Sequence, residues 1–238
     1  MMMTTKSCTY LFGERCKQFG YHDFLRDYKH HVVPEEINKE TIMLHDFYTE
    51  NFTRYDFYDV DYKMPNTLIH LDARRAAIEL CGFSLVNKIT TKELAKYIGN
   101  RKCIEIMAGT GAWSKALINE GVNIHPTDLK IDSAISYNNS WMDVEEIDCV
   151  EAIKKYNPDV VLCSWPRSDS PIDAATDEIF KNPIGELIYI GETWDGCCAS
   201  NYYFESVEKF IKPLNIYLPR WEGIYDDIYS IKASNFVQ

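Results

Sequence analysis

Apolar and polar residues alternate along most of the chain in blocks of two lengths, short apolar runs and longer stretches of helical period. Cys103 to Met107 reads as a buried strand, Ala112 to Glu120 as a helix stopped by Gly121, and Val122 to Ile124 as a second strand leading to Asp128. A helix is predicted near Glu145 to Lys155, a strand over Asp159 to Cys163, a helix near Ile172 to Phe180 and a strand over Leu187 to Gly191. Glu205 to Ile211 has helical spacing, and Asn215 to Leu218 with Ile228 to Ile231 reads as a closing antiparallel hairpin. Upstream, Asn66 can cap a helix running to about Cys81, and Thr90 with Glu93 forms a capping box for a helix that stops at Gly99. Helix and strand in alternation predict an α/β protein with a doubly wound, largely parallel sheet.

The pattern changes near residue 63, which divides the chain into an extension, 1–63, and a main domain, 64–238. The extension holds 13 of the 32 aromatic residues, so it can bury surface and is not composed like a disordered tail. Pro34 followed by Glu35 and Glu36 reads as the first turn of a helix. Tyr48, Phe52, Tyr55 and Tyr62 recur at roughly helical spacing. The segment is expected to dock as an amphipathic helix on the main domain, or to act as a lid whose aromatic residues wall a pocket.

Charge narrows the partners. The formal net charge is −11, which opposes general attraction to phosphate backbones and disfavours nucleic acid and membrane surfaces. The Met-rich start lacks a signal-peptide core, and no run approaches the ~20 apolar residues of a membrane span, so a cytoplasmic location is expected. The eight cysteines contain no C-x-x-C pair, and no metal site is expected. Vicinal Cys197 and Cys198 are either redox-reactive or small residues in a turn.

Chemistry concentrates at Glu105-Ile-Met107-Ala108-Gly109-Thr-Gly111. A strand that ends in an acid and runs into a Gly-x-Gly turn sets backbone N–H groups at a helix N-terminus, beneath a nucleotide-like ligand. Asp128, 17 residues past Gly111, stands where a carboxylate at the tip of the second strand can hold ribose hydroxyls. A dinucleotide site would have a third glycine where this chain has Ser114. Glu105 suits a ligand with an ammonium group and no phosphate. The run resembles motif I, E/D-x-G-x-G-x-G, of the class I S-adenosylmethionine (SAM) dependent methyltransferases, with Met107 at the first glycine position. That resemblance implies a Rossmann-like seven-stranded sheet with its last strand reversed, helices on both faces, and SAM as cofactor, held by Glu105, Met107, Ala108, Gly109, Gly111 and Asp128.

Two further segments fit the same resemblance. Asp143-Val144 falls where a third strand should end; there an acid and the next backbone N–H meet adenine, although Asp143 equally suits a cap for the helix near Glu145. Ser164-Trp165-Pro166-Arg167, at the end of the predicted fourth strand, is similar to the N/D/S-P-P-Y/F/W motif of amino-group methyltransferases. Trp165 replaces the first proline and Arg167 the terminal aromatic. Ser164, Trp165, Pro166 and Glu192 are the candidates for holding the acceptor; Glu192 could serve as a base or simply hydrogen-bond a loop.

A longer set of strings, Met64-Pro65-Asn66, motif I, Ser164-Trp-Pro-x-x-Asp169-Ser170-Pro171, Ile188-Tyr-Ile-Gly191-Glu192 and Pro219-Arg-Trp221-x-Gly223-Ile-Tyr-Asp226, resembles a group of bacterial and phage methyltransferase-like proteins. The resemblance covers roughly Tyr62 to Lys232. It implies a SAM-dependent methyltransferase acting on a small-molecule or protein acceptor, with an amino group as the expected target. Still open are a SAM-binding sensor or inhibitor without transfer activity, an adenosine-binding interaction module, and a DNA amino-methyltransferase.

Overall fold

A computed structural model describes residues 78, 82–84, 86, 88–129, 141–218 and 224–233. The aromatic extension 1–63, the Met64-Pro65-Asn66 string, the Pro219 to Gly223 part of the last string, and all but Ile78 of the helix expected after Asn66 lie outside the described residues.

The described elements are α1 (Lys88–Ile98), β1 (Cys103–Ile106), α2 (Ala112–Asn119), β2 (Ile124–Asp128), β3 (Glu145–Glu146), α3 (Cys149–Tyr156), β4 (Val160–Ser164), α4 (Ile172–Ile179), β5 (Glu186–Gly191), α5 (Asn201–Val207), β6 (Ile211–Pro213) and β7 (Asp227–Ile231). The sheet has seven strands in the order β3-β2-β1-β4-β5-β7-β6. β3, β2, β1, β4 and β5 are parallel, and β7 runs antiparallel to β5 and to β6. This is the Rossmann-like sheet with a reversed final strand that the class I resemblance implies.

Both faces of the sheet are covered, as a mainly parallel sheet requires. On one face Cys103, Val160, Leu162, Ile188 and Ile190 pack against Leu94 and Ile98 of α1 and Trp113, Ala116 and Leu117 of α2. On the other, Ile104, Ile106, Val161, Cys163, Leu187 and Tyr189 pack against α3, α4 and α5. Alternation along β1 therefore turns Glu105 toward α2, and alternation along β4 turns Ser164 toward the same side.

Four local expectations are corrected. Glu145 does not open a helix: it and Glu146 pair with Thr127 and Asp128 as edge strand β3. The Glu145 carboxylate bonds His125 at 2.8 Å, Lys155 at 2.6 Å and the Tyr156 hydroxyl, and these partners, Lys155 first, hold its pKa down near 2. The helix starts later because Asp148 caps it, accepting from Val150 N at 2.9 Å and Glu151 N at 3.2 Å. The closing hairpin uses Ile211–Pro213, with Ile211 opposite Ile231 and Pro213 opposite Tyr229. Asn215 to Leu218 is no strand, and Asn215 takes a left-handed φ of 53°. The preceding helix lies nearer the N-terminus than expected because Ser200 caps it through Tyr203 N. Finally, α1 begins at Lys88, so Thr90 lies inside the helix, where its hydroxyl donates to the Tyr217 carbonyl.

Candidate functional site

In this strand order the connections leaving β1 and β4 diverge to opposite sides of the sheet, and a crevice opens at the carboxyl ends of those two strands. A cavity of about 680 Å³ fills it, of a size suited to a nucleoside-like ligand. Its wall comes from the residues that follow β1, β2, β3 and β4, with Gly82, Phe83 and Ser84 closing one side.

The turn after β1 is wound by three left-handed residues at alternate positions: Met107 (φ 54°), Gly109 (φ 54°) and Gly111 (φ 71°). Ala108 N donates to Thr127 O at 3.1 Å and Gly111 N to Ala108 O at 2.9 Å, tying the turn to β2 and to itself. The methionine at the first glycine position of the motif thus adopts the glycine conformation, at a cost of about 1–2 kcal/mol for a side-chain-bearing residue. Met107, Ala108 and Gly109 line the cavity. Gly111 does not; it lies under the segment after residue 140, and a Cβ there would meet Met142 Cγ at 3.1 Å and Val144 Cγ2 at 3.2 Å.

Glu105 lines the cavity yet is only 2 % exposed. Its Oε2 accepts from Ser114 N at 3.0 Å and from the Ser114 hydroxyl. Burial nevertheless dominates and pushes the Glu105 carboxyl up to about 8, with Asp128 adding a smaller upward push. A cavity-lining carboxyl in this state gains most from a ligand that brings a positive charge. Ser114, which departs from a dinucleotide fingerprint, is the residue that steadies it.

Asp128 ends β2 and also lines the cavity. Its Oδ2 accepts from Gly109 N at 2.7 Å, so the acid of the second strand braces the turn of the first. Burial raises its pKa, opposed by the Gly109 and Leu129 amides.

Asp143 and Val144 are not at the end of the third strand. Both precede β3; Asp143 is exposed, and neither lines the cavity. The pairing of β3 with the tip of β2 displaces the strand end to Glu146, and Ile147, Asp148 and Cys149 become the cavity residues. The Asp148-x-x-Glu151 spacing was the sequence signal for this position, since an acid three residues before another marks a helix start.

Ser164, Trp165 and Pro166 follow β4 into the cavity wall, as does Arg167. Trp165 is left-handed (φ 51°), stacks on Phe83 with ring centroids 5.1 Å apart, and donates from Nε1 to Asp226 Oδ2 at 2.9 Å. Ser164 Oγ lies 2.8 Å from Ser84 Oγ, which accepts from Trp113 Nε1 at 2.8 Å. No signal in the sequence marks Phe83 or Ser84, because their partners lie 82 and 80 residues away. Arg167 is 74 % exposed and forms a two-pronged pair with Asp169 at 3.0 Å.

Glu192 stands apart from this cavity. It is buried beside a separate cleft with Trp194, Cys197, Tyr225 and Asp227. Its two oxygens accept from Cys197 N at 3.0 Å and Tyr225 N at 2.9 Å, which fastens two loops together. Cys197 is exposed; Cys198 is buried, and burial raises its thiol pKa to about 12. Among the described residues no group of three or more His, Cys, Asp or Glu side chains could hold a metal ion, and no helix is long and apolar enough to cross a membrane.

No protein-family model and no curated protein sequence matches this chain. Solved structures with a similar path include TehB from Haemophilus influenzae, 14 % identical with a TM-score of 0.39 over 60 % of this chain and 61 % of that one. The chain thus spans less than two thirds of TehB's length. Human N-acetylserotonin methyltransferase in complex with SAM is 15 % identical with a TM-score of 0.43, over 87 % and 69 % of the two chains. Magnesium protoporphyrin IX methyltransferase from Synechocystis PCC 6803 with bound SAM is 13 % identical with a TM-score of 0.41, over 81 % and 97 %. These are likenesses of chain path at low identity.

Proposed function

We propose that this protein is a SAM-dependent methyltransferase whose cofactor occupies the cavity at the switch point of the sheet. The observation that carries the reading is the convergence of Glu105, the Gly109 turn and Asp128 on that one cavity. Glu105 would take the ammonium end of SAM, and the Met107-Ala108-Gly109 backbone would pass beneath the methionine and ribose. Asp128 would bind the ribose hydroxyls, and Asp148, in place of Asp143, lies on the adenine side. The sulfonium of bound SAM supplies an activated methyl group, so the protein's part is to orient the acceptor in line with it. Ser164, Trp165 and Pro166 are the residues placed to do so, and Glu192 belongs to the loop framework.

Mass spectrometry of ligand carried through purification, followed by calorimetric titration with S-adenosylhomocysteine, tests the cofactor. Saturation at a hundredfold excess over Kd should raise stability by about 2.7 kcal/mol, while NAD should leave it unchanged. Unaltered melting of ligand-free protein with both adenosyl ligands would overturn the reading.

The acceptor we favour is a small molecule or a protein side chain. The −11 charge and the pairing of Arg167 with Asp169 both weaken a nucleic-acid reading. Transfer of label from SAM to DNA, with binding that falls steeply as salt rises, would reverse it. A second reading, a SAM-binding sensor or inhibitor without transfer, is favoured by one observation: Ser164 and Trp165 each already bond protein partners. Label in no fraction of a cell extract, with S-adenosylhomocysteine bound, would select that reading.

A further inference from the structure

We infer that the Trp113–Ser84–Ser164 chain delivers a hydrogen-bond donor into the cavity at Ser164, so the group held there carries an acceptor oxygen, such as a carbonyl or carboxylate beside the reacting atom. The inference rests on the proposed function only for the identity of that group as the methyl acceptor.

Trp113 Nε1 can only donate, and it donates to Ser84 Oγ at 2.8 Å. Ser84 Oγ then meets Ser164 Oγ, also at 2.8 Å. Three N–H or O–H protons share two hydrogen bonds, so one hydroxyl proton is left over. Were Ser164 to donate to Ser84, both lone pairs of Ser84 would be filled and its own proton left on a hydroxyl that borders the cavity but is only 2 % exposed, with no third partner among the described residues. A stranded buried donor costs more than a hydrogen bond gains. If Ser84 donates to Ser164 instead, the spare proton belongs to Ser164, which is half-buried and lines the cavity. The indole fills one lone pair of Ser84 and cannot take its proton, which leaves Ser164 as the acceptor. The Phe83–Trp165 stack next to Ser84 holds this wall in place.

Neutron diffraction from deuterium-exchanged crystals of the ligand-free protein reads the direction itself. The deuteron between the two serines is expected on Ser84, with that of Ser164 aimed into the cavity; a Ser164 deuteron aimed at Ser84 overturns the inference. In solution, N,N-dimethylacetamide, which only accepts, and methylammonium, which only donates, serve as probes by ligand-observed NMR on protein saturated with S-adenosylhomocysteine, or on ligand-free protein should that ligand not bind. N,N-dimethylacetamide should be preferred, and Ser164→Ala should weaken it roughly fivefold to tenfold. Ser84→Ala, which leaves the Ser164 hydroxyl free to accept as well as to donate, should remove the preference, a change that mere loosening of the fold would not produce. Equal binding of both probes, preference for methylammonium, or no binding of either overturns the inference. Failure of the cofactor reading shows separately, as absent S-adenosylhomocysteine binding with the probe preference intact.

Discussion

Asp128 Oδ2 accepts a hydrogen bond from the Gly109 amide at 2.7 Å, so one carboxylate at the tip of β2 both faces the cavity and fixes the turn that follows β1. Any substitution at Asp128 therefore acts on ligand and on fold, and the two effects separate by choice of side chain. Asp128→Asn keeps a carbonyl oxygen for Gly109 and should leave the melting temperature nearly unchanged, while weakening S-adenosylhomocysteine more than tenfold. Asp128→Ala should lose the same affinity and a further 1–3 kcal/mol or so of stability, the cost of a vacated amide partner with charged character. Calorimetric titration and denaturant unfolding of the two variants provide the comparison.

Glu105 makes stability and binding depend on pH in opposite senses. Its folded pKa, about 8, exceeds the ordinary 4.5, so between these values the folded state holds a proton that the unfolded chain releases. Stability from this group is complete below pH 4.5 and declines as pH rises toward 8. Glu105→Gln, whose amide oxygen can still accept from Ser114 N, should abolish that decline and melt above the wild type at pH 8, with the gap closing toward pH 5. The gap between those two pH values should be roughly 2–4 kcal/mol. An ammonium-bearing ligand selects the carboxylate, so wild-type affinity should increase as pH rises from 6 to 8 and the variant's weaker affinity should stay flat.

The two glycines of the turn should respond differently to alanine. Both are left-handed, which costs an alanine about 1–2 kcal/mol. At Gly109 a Cβ meets nothing within 4 Å, and the residue lines the cavity, so Gly109→Ala should cost little beyond that strain and should impair ligand binding. At Gly111 the Cβ presses on Met142 and Val144, so Gly111→Ala should destabilise further, with the loss in ligand affinity secondary. Urea midpoints alongside S-adenosylhomocysteine titrations would show the order reversed if the cavity lay on the other side of the turn.

Trp165→Phe keeps an aromatic ring against Phe83 but removes the Nε1 donor to Asp226, which is 1 % exposed. Loss of a donor to a buried carboxylate should destabilise by about 1–3 kcal/mol. Adding Asp226→Asn should recover part of that loss. A double-mutant cycle with a coupling near zero would mean that the indole N–H contributes nothing through this contact.

Glu192→Gln should separate a structural from a chemical role. With one of its two backbone contacts weakened, the variant should be less stable by about 1–3 kcal/mol, and its affinity for S-adenosylhomocysteine should match the wild type. A tenfold loss of affinity at unchanged stability would tie Glu192 to the ligand cavity instead of the loop framework.

The sequence by itself determined the elements that carry their own signals. β1 and β4 are short, mainly apolar runs, interrupted only by Glu105 and ended by Ser164 and buried along almost their whole length, and the Gly109–Gly111 turn is marked by residue type because left-handed backbone favours glycine. Glu105 and Asp128 were legible from their spacing to that turn, and both line the cavity. Strand β3 was not legible: two glutamates carry no strand pattern, and pairing with the β2 backbone, with His125, Lys155 and Tyr156 on Glu145, holds them in the sheet. That one misplaced strand put Asp143 at the expected strand end, where the structure has Glu146, followed by Asp148 in the cavity wall. The tertiary structure alone decided that Glu192 fastens two loops, and that Phe83 and Ser84 form the wall facing Trp165 and Ser164. Such contacts join residues tens of positions apart, and their hydrogen-bond partners are set by how strands and loops converge in space, for which no local periodicity exists.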